Sequence, residues 1–148
     1  MEIKNLFDPQ VKQELIDRIN QLKPQTQRVW GVMDVAQMLT HVQRPLGVAM
    51  DTHQLKGNFI AKLFAPLIRK KLYNESPYGR NLPTDKTFKI SDQHEFEKEK
   101  QQLLEMINNF SEEKVTKKPH PYFGKFTIEQ WSKMNWKHLD HHLRQFGV

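Results

Sequence analysis

Thr127–Val148 reads TIEQWSKMNWKHLDHHLRQFGV. Its first four residues form a capping box: the Thr127 hydroxyl can accept from a free first-turn N–H, and Gln130 can reach back to the Thr127 backbone. Gly147 is the natural stop, being the residue most easily placed in a left-handed C′ conformation. Between these signals, at about 100° per residue, Ile128, Leu139 and Phe146 point one way, with Asn135 and Leu143 close beside them. Trp131 and His142 lie to one side of that stripe, His138 falls a little further round, and His141 further still, toward solvent. The stretch is therefore an amphipathic helix with an apolar stripe to bury.

This helix holds three of the chain's seven histidines. His138 and His142 are four residues apart, so their side chains stand one turn above each other on one face. Two imidazoles so placed can grip one metal ion, as the HExxH pair does in zinc proteases. The competing reading makes both of them hydrogen-bonded residues at the edge of the core.

A third ligand has to come from another element. Asp34–Asp51 (DVAQMLTHVQRPLGVAMD) reads as a helix opened by Asp34 as N-cap. Val35, Leu39, Val42, Leu46 and Ala49 form its stripe, with Met38 at the edge. His41 lies off the stripe's centre, one turn beyond Gln37, where it can point into a groove between helices. Pro45 removes the N–H that would have bonded to the His41 carbonyl, so a kink is expected there. Three histidines from two helices suit zinc, nickel or another borderline divalent ion, with positions left open for water or substrate.

The remaining segments also read as helices. Asp8 and Pro9 start one that runs to about Leu22, with Val11, Leu15, Ile16 and Ile19 at helical spacing. Asn58 opens another (NFIAKLFAPLIRKKLY), interrupted by Pro66. Asn74–Ser91, punctuated by Pro77, Gly79 and Pro83, is an irregular mid-chain excursion. Asp92 and Glu95 read as a second capping box opening a helix to about Phe110, with Phe96, Leu103, Leu104 and Ile107 toward the core. Repeats, low-complexity tracts and strand-like alternation are missing. The expected fold is all-α: a single domain over residues 1–148, four long helices bundled with one short one.

Composition narrows the chemistry. The 148 residues contain no cysteine, which leaves imidazole and carboxylate as metal ligands and gives the chain no thiol nucleophile of its own. No apolar run approaches the roughly 20 residues needed to span a bilayer, and the N-terminus is not a signal peptide, so a cytoplasmic location is expected. The net charge of +6 permits nucleic-acid contact, but the basic residues are spread along the chain and mixed with glutamates, so none is expected. The basic end of the Asn58 helix permits a membrane-surface reading. A core helix whose cations suit its dipole is preferred, with no membrane partner. His94 is read as solvated and His53 as a helix-end residue, while His120 is placed to fold over the histidine groove. No Gly-rich phosphate loop or serine elbow is present.

Three stretches carry a family likeness. HPYFGKFTIEQWSKMNWKHLDHHLRQFGV (His120–Val148), WGVMDVAQMLTHV (Trp30–Val42) and RNLPTDKTFKIS (Arg80–Ser91) resemble segments of a DinB-like family of uncharacterised bacterial proteins. Such proteins are similar to the DinB/YfiT superfamily of four-helix bundles, often dimeric, which bind a divalent metal through one histidine on the second helix and an HxxxH pair on the last. Carried over, the resemblance implies His41, His138 and His142 as ligands and a homodimer, with the adjacent His141 as the spare. Some members of the superfamily transfer a low-molecular-weight thiol to an electrophile. That implies a small-molecule thiol substrate, with a metal-dependent hydrolase or a non-catalytic binding module as the alternatives. Gln37 and Gln145 are candidate supports for the ligands, His120 and His141 candidate pocket residues, and Arg80, Lys117 and Lys118 candidate attractors of an anionic substrate. Asp140 points away from the histidine pair, and no general base is evident.

Overall fold

A computed structural model describes residues 1–55, 59–82 and 86–148, with the main chain alone for Phe59, Ile60, Ala61 and Phe64. Among these residues it is all-helical: α1 (Pro9–Gln21), α2 (Val35–Ala49), α3 (Phe59–Arg69), α4 (Phe96–Asn109) and α5 (Ile128–Gln145). Short 3₁₀ turns follow α3 and precede α4, at Lys70–Leu72 and Lys86–Phe88. The described residues hold no strand, only an isolated bridge between His120 and Gly124. No helix among them is long and apolar enough to cross a membrane.

α1 and α2 each pack against both α4 and α5, which closes a ring of four helices. The local signals explain the starts. The Asp8 carboxylate accepts from the Gln10 N–H at 2.8 Å with Pro9 at the first helical position, and Asp34 and Gln37 form a reciprocal capping box on α2. Thr127 and Gln130 do the same on α5, which ends before Gly147 at φ +79°. Pro45 sits inside α2, which continues through it to Ala49. The core joins Leu15 and Ile19 of α1, Met38, Leu39 and Leu46 of α2, Leu103 and Ile107 of α4, and Leu139 and Leu143 of α5. Each such aliphatic side chain contributes about 1.5–3 kcal/mol by leaving water.

Several expectations fail. The Asp92–Glu95 capping box does not form: α4 starts at Phe96, with Glu95 as an N-cap whose side chain makes no cap bond. The Asp92 carboxylate pairs with His94 Nε2 at 3.2 Å and its carbonyl accepts from Gln37, local bonds that compete with helix. His94, half-buried between Asp92 and Glu99, is therefore not a solvated residue. Ile128, at the first position of α5, is 41 % exposed.

The helix expected from Asn58 begins within the described residues at Phe59; Asn58 itself lies outside them, as do residues 83–85 of the mid-chain excursion. It stands outside the ring, its close backbone neighbour among the named elements being the 3₁₀ turn that follows it. Ala65 is buried, but Leu63 and Leu67 are 66 % and 74 % exposed, so these two leucines do not join the core as expected.

α5 is buried around most of its circumference, polar residues included. Ser132 accepts from the Leu6 N–H at 2.7 Å and bonds Asn5. The Lys137 ammonium donates to the Lys71 and Asn74 carbonyls and lies 4.4 Å from the Tyr78 ring centre. Asp140 pairs with Arg18 of α1 and Arg144. Ser132, Lys137 and Asp140 thus each tie a neighbouring element to the helix.

Candidate metal centre

α2 and α5 cross so that His41 meets His138 and His142. The ring centres of His41 lie 5.0 Å from His138 and 4.6 Å from His142, and His138 and His142 are 4.6 Å apart. One ligand nitrogen from each residue falls within 4.8 Å of the others, so the three could hold a metal ion. His41 and His142 are buried and His138 partly so.

Hydrogen bonds decide which nitrogens face inward. His41 Nδ1 lies 2.8 Å from the Phe88 carbonyl, which can only accept, so Nδ1 carries the hydrogen and Nε2 keeps its lone pair. The Gln145 amide nitrogen donates to the Trp30 carbonyl at 2.9 Å, which turns its oxygen toward His142 Nδ1 at 2.8 Å. His142 Nδ1 is therefore the protonated nitrogen as well. An oxygen holding the outer N–H of an imidazole is the usual support of a metal-binding histidine. His41 Nε2 and His138 Nε2 are 3.1 Å apart. Two nitrogens each about 2.0–2.1 Å from one zinc sit roughly 3–3.4 Å apart, so the pair fits such an ion. His138 Nδ1, sealed from solvent, has no hydrogen-bond partner and so lacks the support its two neighbours have.

The electrostatics favour neutral imidazoles, the form that binds metal. Burial pushes the His142 pKa down to about 3, and His41 adds to the push. Burial also holds His138 well below its ordinary value, reinforced by His142 and His41. For His41, burial dominates over the Phe88 bond, which opposes it, and Arg44 lowers the pKa further.

The other expected site residues fall at varying distances. Gln145 supports His142, as above. Gln37 instead caps α2 and donates to the Asp92 carbonyl. His141 is half-buried beside the cluster, its ring 5.0 Å from that of His142 and also against Trp30 and Tyr78. His120 is buried next to Trp131, Phe123 and Phe126, and Trp131 precedes His138 by about two turns of α5. Asp140 points away from the triad toward Arg18, as expected.

Three contributors escaped the sequence. The Phe88 carbonyl carries no side-chain signal. Gly31, at φ +85°, has no Cβ, and one placed there would run into the Gln145 amide nitrogen. Arg44, three residues after His41, could have been found as the next member of the same helical flank.

These features define an all-helical protein whose second and fifth helices bring together three histidines able to hold a metal ion. The chain belongs to the DUF1569 family, described as proteins of unknown function, whose family model matches residues 5–147. No curated protein and no solved structure matches it.

Proposed function

We propose that residues 1–148 form one domain of the DinB/YfiT kind that binds a divalent ion, zinc or nickel, through His41, His138 and His142. In this reading it acts as a metal-dependent enzyme on small molecules. The observation that carries it is the pair of outer hydrogen bonds, His41 to the Phe88 carbonyl and His142 to Gln145, which aim two lone pairs into a space faced by His138. A divalent ion there supplies Lewis acidity, which lowers the pKa of a thiol or water reaching its open positions. The leading reaction is transfer of a low-molecular-weight thiol to an electrophile, since a chain without cysteine must take its thiol from a substrate. The protein's own part is to hold the three rings neutral and fixed and to shield their inner edges. A cytoplasmic bacterial homodimer completes the proposal.

The test is elemental analysis of untagged protein prepared without chelator, wild type beside His142→Ala. About one divalent ion per chain in wild type, lost in the variant, is expected. No retained metal after incubation with zinc or nickel would leave the triad a structural cluster. With metal established, thiol–electrophile pairs and hydrolysable esters and amides are screened against the loaded protein.

A further inference from the structure

Three neutral imidazoles leave the whole charge of a divalent ion uncompensated. Asp140 is the nearest carboxylate on α5, and it is taken by Arg18 and Arg144.

Among the described residues a basic side chain stands beside the triad. Arg44 follows His41 by three residues, on the same flank of α2, which places it beside that histidine. It is half-buried, its Nε is sealed from solvent without a hydrogen-bond partner, and it forms no ion pair with a described residue. An N–H sealed from water without an acceptor is left unsatisfied, and the planar guanidinium fork matches an oxyanion. A second guanidinium, that of Arg80, lies 4.6 Å from the Trp30 ring centre. Trp30 is bound to the cluster twice: its ring packs on His141 and its carbonyl accepts from Gln145. Arg80 itself is exposed, and stacking leaves its donor edge available. Of the other basic residues named from sequence, Lys118 is paired with Asp51.

We infer that the substrate of this centre is a small molecule bearing an oxyanion group, gripped by Arg44 beside His41, with Arg80 on Trp30 drawing it in. The inference rests on the metal reading and adds the substrate's charge to it. It predicts rejection of uncharged analogues, because a neutral amide would leave Arg44 unpaired in its half-buried place.

The experiment uses cobalt(II)-loaded protein. Acetate, inorganic phosphate and, as the uncharged control, acetamide are each titrated while two signals are followed: the visible absorption of the cobalt, and the NMR resonance of the Arg44 Nε–H. In wild type either anion, but not acetamide, should change the cobalt spectrum and move the Arg44 signal at matching concentrations. The stronger of acetate and phosphate identifies the oxyanion class. Arg44→Gln should keep its cobalt and bind the anion about tenfold or more weakly, Arg44→Lys should recover part of the loss, and Arg80→Gln should bind a few-fold more weakly. Cobalt retained by Arg44→Gln with unchanged anion affinity, or a still Arg44 resonance in wild type, overturns this inference and leaves the metal reading standing. Failure of wild type to take up cobalt overturns both.

Discussion

Replacing Gln145 by alanine tests whether the triad is oriented for metal or merely packed. The substitution removes the acceptor of His142 Nδ1–H and the donor to the Trp30 carbonyl in one step. A buried polar group left unsatisfied costs about 1–3 kcal/mol, so the metal-free protein should lose a few kcal/mol at most. The informative quantity is the response to zinc. Losing an outer hydrogen bond to a metal-bound histidine typically weakens affinity by about 10–100-fold. At free zinc of about 100 times the wild-type Kd, binding stabilises wild type by about 2.7 kcal/mol; for a site 10- or 100-fold weaker the figures are roughly 1.4 and 0.4 kcal/mol. At about 2–4 °C per kcal/mol for a chain of this size, the zinc-induced rise in Tm should be about 3–9 °C smaller in the variant. Thermal melts followed by circular dichroism, with zinc and with chelator, measure it. Gly31→Ala should reproduce the deficit although it touches no histidine, because its Cβ displaces the same amide. A zinc shift equal to wild type in both variants would refute the argument that these bonds aim the ring.

Two further outcomes follow from burial. In chelator, stability should fall as the pH drops below about 6.5. An unfolded histidine takes up a proton there, whereas the buried imidazoles resist it, so the unfolded chain binds more protons and stability rises with pH. The share from His142, whose pKa is about 3, should be complete above 6.5 and shrink by about 1.4 kcal/mol per pH unit down toward 3. Urea midpoints from pH 8 to 5 check this, and a flat profile would contradict neutral burial. Ser132→Ala strands the Leu6 N–H in a fully buried place and should cost about 1–3 kcal/mol. A urea midpoint unchanged from wild type would show that the segment before α1 is not fastened there.

What could be read from the sequence was whatever depends on one element at a time. The Thr127–Gln130 and Asp34 caps, the Asp8–Pro9 start and the Gly147 stop are local events, and all form. The meeting of His41 with the HxxxH pair was legible because each sits on the flank of a stripe, and two flanks meet wherever two stripes pack. The failures lie where a third element intervenes. Asp92 had good capping chemistry, but His94 and Gln37 claimed it first. The periodicity of α3 was as apolar as that of a core helix, yet the ring of α1, α2, α4 and α5 closes without it, and Leu63 and Leu67 stay outside.

The same limit explains why α5 was underread. A stripe analysis gives a helix one buried face and assigns the polar residues to water. Such an analysis gives Lys137 and Asp140 no place in the packing, yet they are 1 % and 3 % exposed. α5 is enclosed by α1, α2, the chain before α1, the turn after α3 and the loop at Trp30, so each polar residue on its far side meets backbone or an opposite charge rather than solvent. This enclosure has a consequence for the centre. Gln145 fastens the Trp30 loop, and Lys137 fastens the segment carrying Tyr78 and leading to Arg80. Both residues lie within one turn of a histidine of the triad. The loops around the centre are therefore held by the helix that presents two of its nitrogens, and a shift of α5 would move ligands and surroundings together. The Phe88 carbonyl behind His41 comes from a separate segment joined to α2. Relative motion of the two ligand groups would thus be concentrated at the contact between α2 and α5, where His41 Nε2 faces His138 Nε2 and an ion would bridge them.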